Sequence, residues 1–183
     1  MNDSVDQIVR LLGVPLDAVE AEPATAPEWV AVERRLGLTL PDDFKELVAT
    51  FGTCPWADFL HLLTPFTSNI NLLLERRAHA SLGAAHEIRR KYPDEIPYAL
   101  YPETCGLFPW AGTDNGDTLF WQTQGPPDWW PIVILQARGP EAEIHTPGAA
   151  RLLAAFLRGT LKSRILLEPF AAVVPATLHS WPQ

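Results

Sequence analysis

The chain predicts an α+β fold: one domain in which helices pack around a mostly antiparallel, twisted sheet. Three observations predict it. Helical periodicity fills the first half, as in Phe44, Leu47, Val48 and Phe51, an i, i+3, i+4, i+7 stripe. Strand-like segments cluster after residue 106, with connections too short for parallel crossovers. A length of 183 residues with 47% hydrophobic content suits one domain with one real core.

Taken in order, residues 4–12 form a first helix: Ser4 and Gln7 have capping-box spacing, Ile8, Leu11 and Leu12 make a stripe, and Gly13 ends it. Residues 14–26 are a loop with Pro15 and Pro23. A second helix opens at Pro27 and ends before Gly37, with Trp29, Val32 and Leu36 on one face. The third helix opens at Pro41. Asp42 and Asp43 sit where the positive end of its dipole favours them, and Gly52 closes it. Phe59–Leu63 reads as a short strand and Ser68–Lys91 as a long helix weakened at Gly83 and stopped by Tyr92-Pro93. The stretch from Pro93 to Pro109 holds four prolines and reads as extended.

Strands follow at 107–112, 117–123 and 131–137, the first two joined through Asn115-Gly116, the sequence of a type I′ hairpin. Ile132, Val133, Ile134 and Leu135 run continuously apolar, which predicts a strand buried on both faces. Glu143–His145 is a short further strand after the Arg138-Gly139-Pro140 turn. Thr146-Pro147 opens a last helix with Leu152, Leu153, Phe156 and Leu157 inward. The organisation is therefore an N-terminal helix and loop (1–26), a central α+β domain (27–160) and a C-terminal tail (161–183) without clear period.

Fourteen basic against twenty-two acidic residues give a net charge of −8. Such a surface repels nucleic-acid phosphates and suits a basic protein partner. Cys54 and Cys105 make no disulfide framework and no zinc ribbon, and read as reduced, partly buried thiols. A basic leader with an apolar run is missing, and no stretch reaches the roughly 18 apolar residues of a membrane span. The expected location is the cytoplasm, away from the membrane.

Little in the sequence looks like machinery for chemistry. His79 and His86 stand two helical turns apart, roughly 10 Å, too far for one metal ion. Glu75 and His79 share a face with Arg76 and Arg77 nearby, which reads as a solvated surface. No nucleophile elbow, phosphate loop, dinucleotide fingerprint or calcium loop is present. The expectation is no catalytic residue, no cofactor and no metal. A hydrolase using Asp114 or Asp117 with a histidine such as His61 or His145 stays open as an alternative.

Recognition features are more promising. Asp114 and Asp117 bracket the hairpin turn and predict an acidic tip. Among seven tryptophans, Trp29, Trp110 and Trp121 are placed in the core. Trp129 and Trp130 are adjacent, so in a strand they would face opposite ways and one would be exposed. Trp56 with Asp58 is a similar pair. The candidate partner contacts are Trp56, Asp58, Asp114, Asp117, Trp129 and Trp130.

ERRLGLTLPDDFKELVATFG (33–52) and LFPWAGTDNGDTLFW (107–121), followed by a buried strand and a terminal amphipathic helix, resemble the SUKH superfamily, whose eukaryotic members include yeast cell-wall synthesis regulators. The resemblance spans about residues 27–160. It marks Leu40, Pro41, Phe44 and Gly52 as a helix signature, Trp110 as core, and Asn115, Gly116 and Asp117 as turn. It implies an α+β fold and a non-enzymatic role, in bacteria that of an immunity protein neutralising a cognate toxin, often a nuclease. An intracellular scaffold or interaction module is the alternative it leaves. The proline-rich insert near 93–105 and the tail past 160 depart from the pattern.

Overall fold

In the computed structural model, which describes residues 3–13, 24–57 and 59–166, helices cover both faces of one antiparallel meander. The elements run α1 (Asp3–Leu12), α2 (Ala26–Leu36), α3 (Asp42–Phe51), β1 (Pro55–Trp56), β2 (Leu60–Leu62), α4 (Leu74–Lys91), β3 (Leu107–Thr113), β4 (Thr118–Gln122), β5 (Ile132–Leu135), β6 (Ala142–His145) and α5 (Ala149–Leu157). The six strands pair in sequence order, every neighbouring pair antiparallel. The α+β prediction therefore holds.

Side-chain alternation divides the sheet between two cores. Trp121, Ile132 and Ile134 point into the large core with α1, α2, α3 and α5, whereas Phe120 and Val133 point into a smaller one with Ala85 of α4. The unbroken apolar run in β5 is thus explained: both faces are covered. Val5, Ile8 and Leu12 of α1, and Ile165 and Leu166 after α5, lie in the same large core as the central segment.

The helix signature acts through one ring. Phe44 meets Trp121 edge-on at 4.9 Å and Trp110 at 6.4 Å, while Trp110 stacks on Trp121 at 5.5 Å. A bulge between Pro109 and Ala111 helps to set this up. Proline cannot donate to the ladder, and the irregular register puts Trp110 and Ala111 both in the large core. Trp29, Trp110 and Trp121 are all buried, as their sequence context predicts.

Several boundaries differ from the sequence reading. The long helix starts at Leu74, not Ser68, because Asn69 and Thr67 divert the chain. The Asn71 N–H donates to the Asn69 side-chain oxygen and the Asn69 N–H to the Thr67 hydroxyl, each at 3.0 Å. The β3–β4 turn is not type I′. Its three-residue loop, Asp114 to Gly116, is closed by the Gly116 N–H donating to the Thr113 carbonyl at 2.9 Å, and only Gly116, at φ +90°, is left-handed. This is the type I turn followed by a glycine bulge. The proline-rich insert is stitched down: the Tyr101 hydroxyl lies 2.8 Å from the Leu36 carbonyl, and Arg89 pairs with Glu103, holding that carboxyl down to about 2.

Candidate protein-contact site

The candidate contacts divide between the two ends of the sheet. At one end the β3–β4 tip lies beside the β1–β2 turn, the Asp114 N–H donating to the Phe59 carbonyl at 3.0 Å. Trp129 follows the other end of β4, a strand of five residues and about 16 Å. The described candidates therefore do not form one patch.

Three of them are not surface residues at all. Trp56 is 1% exposed and packs edge-on against Phe51 at 5.1 Å. Trp130 is buried against Trp121, its indole N–H donating to the Gly125 carbonyl at 2.9 Å. Asp117 is buried as the anchor of the turn. One carboxylate oxygen accepts from the Thr113 hydroxyl and the other from the Ala137 N–H, both at 3.0 Å. Asp58 lies outside the described residues.

Asp114 is exposed but not idle, since its carboxylate sits 2.8 Å from Nε2 of the buried His61. His145 pairs instead with Glu143, at 3.2 Å. The hydrolase alternative needs imidazole and carboxylate in one concave pocket. His61 and Asp114 line neither the groove beside α4, nor the hollow beside β6, nor the cavity described next, and the hollow beside β6 brings His145 together with Glu143, not with Asp114 or Asp117.

Trp129 is the outstanding surface residue, 71% exposed. It belongs to a 3-10 turn, Pro127–Trp129, in which successive side chains splay by a third of a turn. That geometry, not strand alternation, throws Trp129 outward while Trp130 goes in. The same turn is tied to α3: Asp128 accepts the Asp42 N–H at 2.7 Å, a remote carboxylate at a helix N-terminus. Asp43 does the same for α5, accepting the Ala150 N–H at 3.0 Å.

These caps frame a cavity of about 370 Å³ lined by Ser4, Asp42, Asp43, Asp128, Trp129, Pro147, Gly148 and Arg151. Burial pushes the Asp43 carboxyl above its ordinary range, the Ala150 hydrogen bond opposes this, and the Asp128 charge adds to it. Asp42 also touches Lys45, at 3.3 Å. Sequence reasoning found Trp129 but missed Asp42, Asp43, Asp128 and Arg151 as its company. The first two read fully as dipole partners of α3. Only Asp128, next to Trp129, carried a local signal.

Among the described residues no group of three or more His, Cys, Asp or Glu is placed to hold a metal ion. Among them, too, no helix is long and apolar enough to cross a membrane.

A meander of six strands, helices on both faces and a Leu-Pro-x-x-Phe helix docked on stacked tryptophans define a small α+β domain of recognisable type. The chain belongs to the SMI1-KNR4 cell-wall family, SUKH_6, whose family model matches residues 27–153. Neither the curated proteins nor the solved structures give a significant match.

Proposed function

We propose that this chain is a non-enzymatic protein-binding domain of the immunity type, acting in the cytoplasm by covering the basic cleft of a cognate toxin, with a nuclease the best-suited class. One observation carries the reading: a tryptophan 71% exposed stands beside the carboxylates of Asp42 and Asp128 on a scaffold whose other described tryptophans are buried. An exposed aromatic beside acidic groups supplies a hot-spot anchor and steers a basic partner. The net charge of −8 works in the same direction. Family membership supports a protein-binding role.

The test pairs the purified chain with the product of the adjacent reading frame. Stoichiometric binding that blocks that protein's toxicity is expected. Turnover of a compound by the isolated chain, lost on deleting one polar side chain, would overturn the reading. Binding to a non-toxic intracellular protein in place of a toxin would move the assignment to an interaction scaffold.

A further inference from the structure

We propose that the cavity between α3, α5 and the Pro127–Trp129 turn receives one arginine side chain of the protein partner, its guanidinium flat against Trp129 and donating to the carboxylates around it. This rests on the protein-binding reading and names the chemistry of its contact.

Charge selects a cation. Asp42, Asp43 and Asp128 line the cavity against one Arg151. Asp43 is only 8% exposed, and while Oδ2 is held by Ala150, the buried Oδ1 has no hydrogen-bond partner among the described residues. Oδ1 is closed to the cavity and the Asp43 and Asp128 charges repel each other, so the acceptors that an incoming donor reaches are the exposed carboxylates of Asp42 and Asp128. The larger groove beside α4, about 690 Å³, offers no such preference, since Arg77 and Arg138 there are balanced by Glu95 and Glu141.

Geometry then selects arginine among cations. The carboxylates are spread around the cavity rather than gathered on a point, and they form no metal-holding group. A guanidinium offers five N–H donors in a plane, spans separated acceptors and stacks on an indole, whereas an ammonium is a compact point charge. The cavity, at about 370 Å³, has room for the group and part of its stem. Asp128 accepts the Asp42 N–H at 2.7 Å, so the 3-10 turn that carries Trp129 is fixed to α3 before any partner arrives.

The experiment is an NMR titration of the full chain with the peptide Ac-Gly-Arg-Gly-NH₂, beside its citrulline and lysine counterparts. Saturable shifts at the Trp129 indole N–H and the Ala150 amide are expected with arginine, weaker ones with lysine, and none with citrulline. Trp129→Ala and Asp128→Asn, the second keeping an acceptor for α3, should each weaken the arginine peptide by about fivefold. Equal shifts with citrulline, or shifts centred on the α4 groove, would overturn the proposal. The adjacent-frame protein separates the two claims. If it binds wild type and Trp129→Ala equally, the cavity proposal falls and the immunity reading stands. If it binds neither while the arginine peptide still titrates as expected, the immunity reading falls and the cavity stands.

Discussion

At the scale of single residues, the strongest constraints fall where no motif marks them. A Cβ on Gly106 would stand 2.5 Å from the Tyr101 nitrogen, 2.6 Å from the Leu100 carbonyl carbon and 2.7 Å from the Glu103 oxygen, all backbone atoms that cannot rotate away. Gly106→Ala should therefore cost about 1–3 kcal/mol in urea unfolding, as other overpacked sites do. Its φ is not left-handed and no turn signature surrounds it, so the need for glycine is visible only once the insert folds back on itself. Asp43 is a second such residue, legible as a dipole partner but not as a cap for a helix 107 positions away. Its folded carboxyl lies above the unfolded value, chiefly through burial, with the Asp128 charge adding to it. A raised acid contributes stability that is present below the unfolded pKa and lost as pH rises through the folded one. Wild type should accordingly gain stability relative to Asp43→Asn as pH falls through that range. Unfolding curves at neutral and acidic pH that stay parallel would contradict this.

At the scale of elements, apolar patterning located α1, α2, α3 and α5 by their buried stripes and β5 by its unbroken run. It failed where geometry is local. β1 has two residues, too few to show any period, and the start of α4 was moved by side-chain hydrogen bonds of Thr67 and Asn69. The Asn-Gly signal found the β3–β4 turn but not its type, which depends on Asp117 pointing inward to hold Thr113 and Ala137. Asp117→Ala leaves those two donors without their acceptor and should cost about 1–3 kcal/mol, with faster amide exchange at Ala137. The β6 strand supplies the counterpart. Burial favours protonation of Glu143, but hydrogen bonds from the Arg164 N–H, the Ser163 hydroxyl and His145 outweigh it, so its carboxyl lies below the ordinary range. Stability from a lowered acid is present above the unfolded pKa and lost as pH falls through the folded one. Glu143→Gln should therefore speed amide exchange at Arg164, Ile165 and Leu166 at neutral pH, and the difference from wild type should shrink on acidification.

At the scale of the whole molecule, the meander decides which acidic groups can act together. Asp114 and Asp117 look like a pair in sequence, yet one is exposed and the other buried, and both lie a strand's length from Trp129. Asp42 and Asp128 are 86 positions apart and meet through a 2.7 Å hydrogen bond. Sequence reasoning could find the anchor because tryptophan is conspicuous, but its neighbours are created by the packing of α3 and α5 against the far end of the sheet. The distinction has a kinetic consequence. Steering depends on the charge nearest the docking face, since fields decay over roughly 8 Å at physiological ionic strength. Asp42→Lys combined with Asp128→Asn, which keeps the oxygen that caps α3, should slow association with a basic partner severalfold and flatten its salt dependence. Asp114→Asn, at the opposite end, should change neither the rate nor its slope against ionic strength, although it removes the same kind of charge. A stopped-flow series over salt concentration with the adjacent-frame protein separates the two ends. If Asp114→Asn slows association while the Asp42 and Asp128 variant does not, the docking face lies at the β3–β4 tip, and Trp129 is an exposed ring with no part in binding.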